Sequence, residues 1–199
     1  DVWLPRGAAR VSLRPALPAE PLALCFAVPL QAVGGAGALE GWGAMPVEAV
    51  LEVRTDAGVV DVLTITPPRL RRKLAVGPVD AAELARAVDV AFRPGPLPEV
   101  GPPGECVVPL RFERPGSAAT IDRLVVPAGV LSLYSRGPRL VSARLNVGVP
   151  RENDVHVAVQ SGPPAPDMVR RFGPPDGPRS FSARLGQLAR RGLGLEYGA

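Results

Sequence analysis

A mainly β fold is predicted: an antiparallel two-sheet β-sandwich, immunoglobulin-like in one version, followed by a short C-terminal helix. Three observations predict it. Between residues 105 and 160, apolar and polar side chains take turns along successive short segments, the period of a strand with one buried and one wetted face. Turn residues stand between those segments, at Pro115-Gly116-Ser117, Pro127-Ala128-Gly129 and Arg136-Gly137-Pro138. The chain is 46% hydrophobic but only 5% aromatic, so its core must be mostly Val, Leu and Ala.

In chain order, residues 2–4 and 11–14 read as short strands. Pro15, Pro18 and Pro21 follow and mark an edge or a connection, because proline has no backbone donor. Leu22, Leu24, Phe26, Val28 and Leu30 form one apolar face, with small Ala23, Cys25 and Ala27 opposite, so this strand should be covered on both sides. Residues 34–43 are glycine-rich, contain Trp42 and read as a surface loop. A phosphate cradle would need a glycine spacing and a following helix that are missing here. Residues 47–54 and 59–65 make a hairpin around Thr55-Asp56-Ala57-Gly58.

Residues 80–88 satisfy both periods. Ala81, Ala82, Leu84, Ala85 and Ala87 favour helix, whereas Val88, Val90 and Phe92 alternate. Residues 93–104 are dense in Pro and Gly and mark a boundary between sub-sheets. Strands are expected at 108–112, 120–126, 130–135, 139–147 and 155–159, and a second Pro/Gly linker at 161–177. Ser180 can cap a helix whose apolar stripe is Phe181, Leu185, Leu188 and Leu193, ending at Gly192. The organisation expected is therefore a β domain over 1–178 and an amphipathic helix and tail over 179–199.

Net charge is +4, carried almost wholly by arginine, since Lys73 is the single lysine. That is modest for a nucleic-acid binder. The scarcity of Asn, Gln, Met and Cys suits a heat-adapted source. The two cysteines, Cys25 and Cys106, are expected to be reduced, and a cytoplasmic location is expected with them. No apolar run is long enough to span a bilayer.

Two sets of side chains are candidates for a site. Arg69, Arg71, Arg72 and Lys73, with Arg184, Arg190 and Arg191 on the final helix, could bind anions. The ordinary alternative is a solvated strand edge and a helix face left in water. His156, the single histidine, lies on a polar face with Asp154 and would need Ser142 beside it to form a polar cluster. No nucleophile elbow, metal-ligand spacing or cofactor motif is present, so no catalytic residue, metal or cofactor is assigned.

Residues 22–33, LALCFAVPLQAV, read as a strand motif. Residues 60–67 end a hairpin as VDVLTITP. VVPA follows at 125–128, LSLY at 131–134 and VSARL at 141–145. In that order and spacing, the stretch 22–147 resembles the domain of unknown function 432 family, found largely in archaea. The resemblance implies a strand at 82–86 and no catalytic residue. This chain departs from the pattern in its Pro/Gly stretch near Arg93 and in its few aromatics. The function expected is a non-enzymatic binding or protein-interaction module, with a protein partner or a second copy of the chain. The alternatives are a hydrolase with an acid/His site assembled in space, and weak nucleic-acid or anionic-surface binding through the arginines.

Overall fold

The structure is a computed structural model that describes residues 10–32, 38–77, 82–113, 119–127, 129–151, 154–177 and 179–184. It is mainly β, but the expected pair of antiparallel sheets is replaced by three sheets, two of them with parallel pairs. Alternation along a strand reports which face is buried and says nothing of strand direction, so the sequence could not reveal this.

The first sheet, sheet A, joins β1 (Arg10–Ala16), β4 (Glu48–Thr55) and β5 (Gly58–Ile65) in the order β1-β4-β5, all antiparallel. The hairpin between β4 and β5 is the one expected. Thr55 Oγ1 accepts from the Ala57 N–H at 3.2 Å, and Gly58 takes a φ of 138°.

Residues opposed in an antiparallel ladder share a face. One face of sheet A therefore carries three rows: Val11, Val53 and Val60; Leu13, Leu51 and Leu63; Pro15, Ala49 and Ile65. The other face carries Ser12, Glu52 and Asp61, and Arg14, Val50 and Thr64. Arg14 is bound there to Asp61 at 2.5 Å and Glu52 at 3.5 Å. Its guanidinium lies 5.8 Å over the ring of Phe172, in β15 (Val169–Phe172). The polar face of sheet A thus looks towards the body of the molecule and the apolar face looks away.

Sheet B is β10 (Ala119–Val126), β2 (Leu22–Ala32), β7 (Glu83–Val90) and β6 (Lys73–Val76), in that order, with β2 and β7 parallel. β7 settles the ambiguous stretch. Ala85, Ala87 and Val88 are buried between β2 and β6, and burial in a sheet overrides the helix propensity of alanine.

Sheet C is built around β9 (Glu105–Phe112). One edge of β9 takes β3 (Leu39–Pro46) along its whole length. The other edge takes β12 (Arg139–Ser142) and then β13 (Leu145–Arg151), both parallel to it. β11 (Leu133–Arg136) pairs with β12, and β15 with β11. β14 (Asp154–Val159) pairs with β13, and β16 (Arg179–Arg184) with β14. β8 (Arg93–Pro94) joins the far side of β3. The turn at 136–138 does make a hairpin, whereas the expected turn at 127–129 is not a hairpin, since β10 before it belongs to sheet B and β11 after it to sheet C, and Ala128 lies outside the described residues.

Sheets B and C bury a common core that includes Leu24, Phe26 and Ile121 from one and Val108, Leu110 and Leu145 from the other. Cys106 to Leu110 are all buried, so β9 is covered on both faces.

Two further expectations change. Residues 39–43 of the glycine-rich stretch form a strand, because sheet pairing with β9 recruits them; residues 33–37 lie outside the described residues. A Cβ on Gly41 would meet the Phe92 ring at 2.5 Å, and one on Gly43 would overlap Val90 Cγ1. Glycine here serves close packing, not mobility. The start of the expected C-terminal helix, Ser180 included, is strand β16, whose full ladder with β14 outweighs a helix cap. The remainder of that helix, the strand at 2–4 and the turn at 115–117 lie outside the described residues.

Candidate functional site

β3, β7 and β8 converge at the seam between sheets B and C around an open cleft of about 380 Å³. Its floor is small and apolar, from Ala27, Ala44 and Ala91 beside Val90. Trp42 and Arg93 are directly opposed across β3 and β8, so both side chains rise from one face. The Arg93 guanidinium lies 5.0 Å over the Trp42 ring, a cation–π arrangement.

Ion pairs border the cleft. Arg69, in a 3-10 turn at Pro68–Leu70, is bound to Glu105. Arg72 meets Asp89 at 2.6 Å. No carboxylate among the described residues lies within ion-pair distance of Arg93.

The basic run is therefore stitched to acids. Lys73 and Arg86 share Glu20 at 3.0 and 2.8 Å, and Leu70, fully buried, pins the run to the core. Arg71 is exposed. Arg184 ends β16 opposite Asp154, its side chain undescribed, and Arg190 and Arg191 lie outside the described residues.

The polar cluster is not brought together. Ser142 is fully buried, and its hydroxyl donates to the Ala143 carbonyl at 2.9 Å. His156 is exposed and paired with Gly148 and Ser182. Through their registers on β9, Ser142 lies beside Val108 and Gly148 beyond Phe112, about five strand residues or roughly 17 Å apart. Asp154 begins β14 two residues from His156, and its side chain is not described. Among the described residues no three His, Cys, Asp or Glu side chains converge as metal ligands. No described helix is long and apolar enough to cross a membrane. Cys25 and Cys106 are both free thiols, and burial pushes the Cys106 thiol well above its usual range.

Glu20 is the most perturbed carboxylate in this region. Burial acts to raise it, but hydrogen bonds from Lys73 and Arg86 prevail and hold it at about 2. Its ordinary value is 4.5. A depressed carboxylate stabilises the fold fully above the unfolded value, and that contribution is lost as pH falls through the folded one. Glu20→Gln is expected to cost about 1 kcal/mol at pH 7, a value kept small because the cluster is partly solvated. It should also flatten the loss of stability between pH 4.5 and about 2. Urea titrations at pH 7 and in that acid range check both.

Trp42 and Arg93 were not singled out from the sequence. The available signal was a tryptophan flanked by glycines, one of two tryptophans in a chain poor in aromatics. A family model described as “Protein of unknown function (DUF432)” matches residues 1–184. The chain belongs to the DUF432 family. No curated protein and no solved structure matches it. The DUF432 match spans every described strand, β16 included. The strand that the family pattern implies at 82–86 is, in this DUF432 chain, the parallel neighbour of β2.

Proposed function

We propose that the chain is a non-enzymatic interaction module that works as a pair, with the apolar face of sheet A docked on the same face of a second copy. The observation that carries this is the composition of that face. Its exposed residues run from 50% exposure at Ile65, through Val11, Leu63 and Val60, to 65% at Leu13. Together they present on the order of 500 Å² of apolar surface, at the upper end of what a monomer leaves bare. A stable dimer buries about 800 Å² on each side, so this face supplies most of such an interface.

Charge favours a like partner. None of the three rows contains an ionisable residue, so a two-fold axis brings no like charges together. All the charges of sheet A lie at its tip or on its other face, where Arg14 gathers Glu52 and Asp61. Two such faces stacked about 10 Å apart make a sandwich between chains, covering the face that sheet A leaves exposed among the described residues. β5 adds an edge unpaired among the described residues.

Sedimentation of the full chain at about 100 µM tests the reading, since interfaces of this size reach micromolar affinity or better. The expected result is a dimer that Leu63→Asp converts to a folded monomer. A wild-type monomer at that concentration, or a dimer unaffected by Leu63→Asp, overturns it.

A further inference from the structure

We propose that the cleft at Trp42 and Arg93 binds a small ligand with a single carboxylate on a flat apolar body. The site lies on β3, β7 and β8, away from sheet A, and the inference stands independently of the pairing reading.

The shape comes first. At about 380 Å³ the cleft falls within the ~300–1,000 Å³ range of small-molecule sites. The space exists because Ala27, Ala44 and Ala91 line it where larger side chains would fill it. Ala44 stands two residues from Trp42 and so on the same face of β3. The indole and the alanine floor together suit a flat apolar body. Behind the platform, on the opposite face of β3, Gly41 and Gly43 let Phe92 and Val90 pack close to the strand.

Charge then selects the head group. Glu105 and Asp89 line the cleft but are taken by Arg69 and Arg72. Arg93 is left with a π partner and no carboxylate among the described residues. The cation–π contact with Trp42 holds the guanidinium at the cleft, and its N–H donors can make a two-point contact with a carboxylate. A monoanion balances Arg93. A phosphate dianion would add charge that Asp89 and Glu105 repel.

Calorimetric titration with 2-naphthoate, 2-naphthalenemethanol and 2-naphthyl phosphate tests this. Saturable binding of the carboxylate is expected below about 5 mM, with the alcohol and the phosphate each about tenfold weaker. Arg93→Gln should weaken the carboxylate about tenfold and bring it level with the alcohol. Ala44→Leu should abolish binding of all three by filling the floor, and Arg136→Gln, in β11 and outside the cleft, should change nothing. Thermal unfolding confirms that each variant is folded. The proposal is overturned if no carboxylate binding saturates by about 5 mM, if the alcohol or the phosphate binds as tightly, or if Arg93→Gln leaves affinity unchanged.

Discussion

Replacing Phe112 by alanine is expected to destabilise the chain by about 4 kcal/mol and to lower its melting temperature by roughly 10 °C. Phe112 is 4% exposed near the end of β9. Its ring meets Phe26 of β2 edge-on at 6.3 Å, and Phe92, just beyond β7, edge-on at 5.6 Å. One side chain thus joins sheet C to two neighbouring strands of sheet B. The cavity left by its loss would open between two sheets whose backbones are held by their own ladders and cannot close in. Phe92→Ala should cost less, because Phe92 is only half-buried. Thermal and urea unfolding of both variants checks the order as well as the size.

The second large effect is expected at Gly173, where alanine should cost about 3 kcal/mol. Its φ of 95° is one that side-chain-bearing residues rarely adopt. A Cβ there would overlap the Leu131 carbonyl oxygen and lie 2.7 Å from Ser132 Cα. Both obstacles are backbone, and the strain and the overlap add. The segment after Gly173 is bound to β11 and its approach. Ser132 Oγ donates to the Pro174 carbonyl at 3.0 Å, and Tyr134 Oη donates to Asp176 at 2.5 Å. Burial and that carboxylate both push the Tyr134 hydroxyl upwards, so it remains a donor at neutral pH. Gly137→Ala separates the two causes. Gly137 has a φ of 56°, and a Cβ there would meet nothing within 4 Å, so the substitution should cost only about 1 kcal/mol. Urea unfolding of both variants reads the difference, and equal losses at the two positions would mean that the overlap contributes nothing.

Strand positions were legible from side-chain pattern and flanking turns. The segments at 22–30, 59–65 and 155–159 are found as β2, β5 and β14; alternation tracks burial in β14, whereas β5 is exposed along its whole length, so there the apolar residues marked a strand but not a buried face. Strand partners were not legible. The stretch 139–147 reads as one strand, but it breaks after Ser142 and pairs with β11 on one side of the break and β14 on the other. That break is what separates Ser142 from His156. Residues 39–43 looked like a loop because glycine is rare in strands, and only the proximity of Phe92 and Val90 explains its use. The cleft was hidden for the same reason. Trp42 and Arg93 are 51 positions apart in the sequence, and their adjacency depends on a two-residue strand that no periodicity announces.

The way the chain visits its sheets bears on how it folds. Sheet B takes β2, β6 and β7 from before residue 93 and β10 from after residue 118, while sheet C takes β3 from the first half and β9 from the second. Sheet A is complete within the first half, but neither half carries a complete set of strands for sheet B or sheet C. Two separately produced fragments divided near residue 100 should each lack the core those two sheets share, yet regain it when mixed. In the intact chain, closing loops as long as that between Leu22 and Val126 must precede any reward from the ladder. Folding in milliseconds to seconds, slow for a chain of this size, is the consequence.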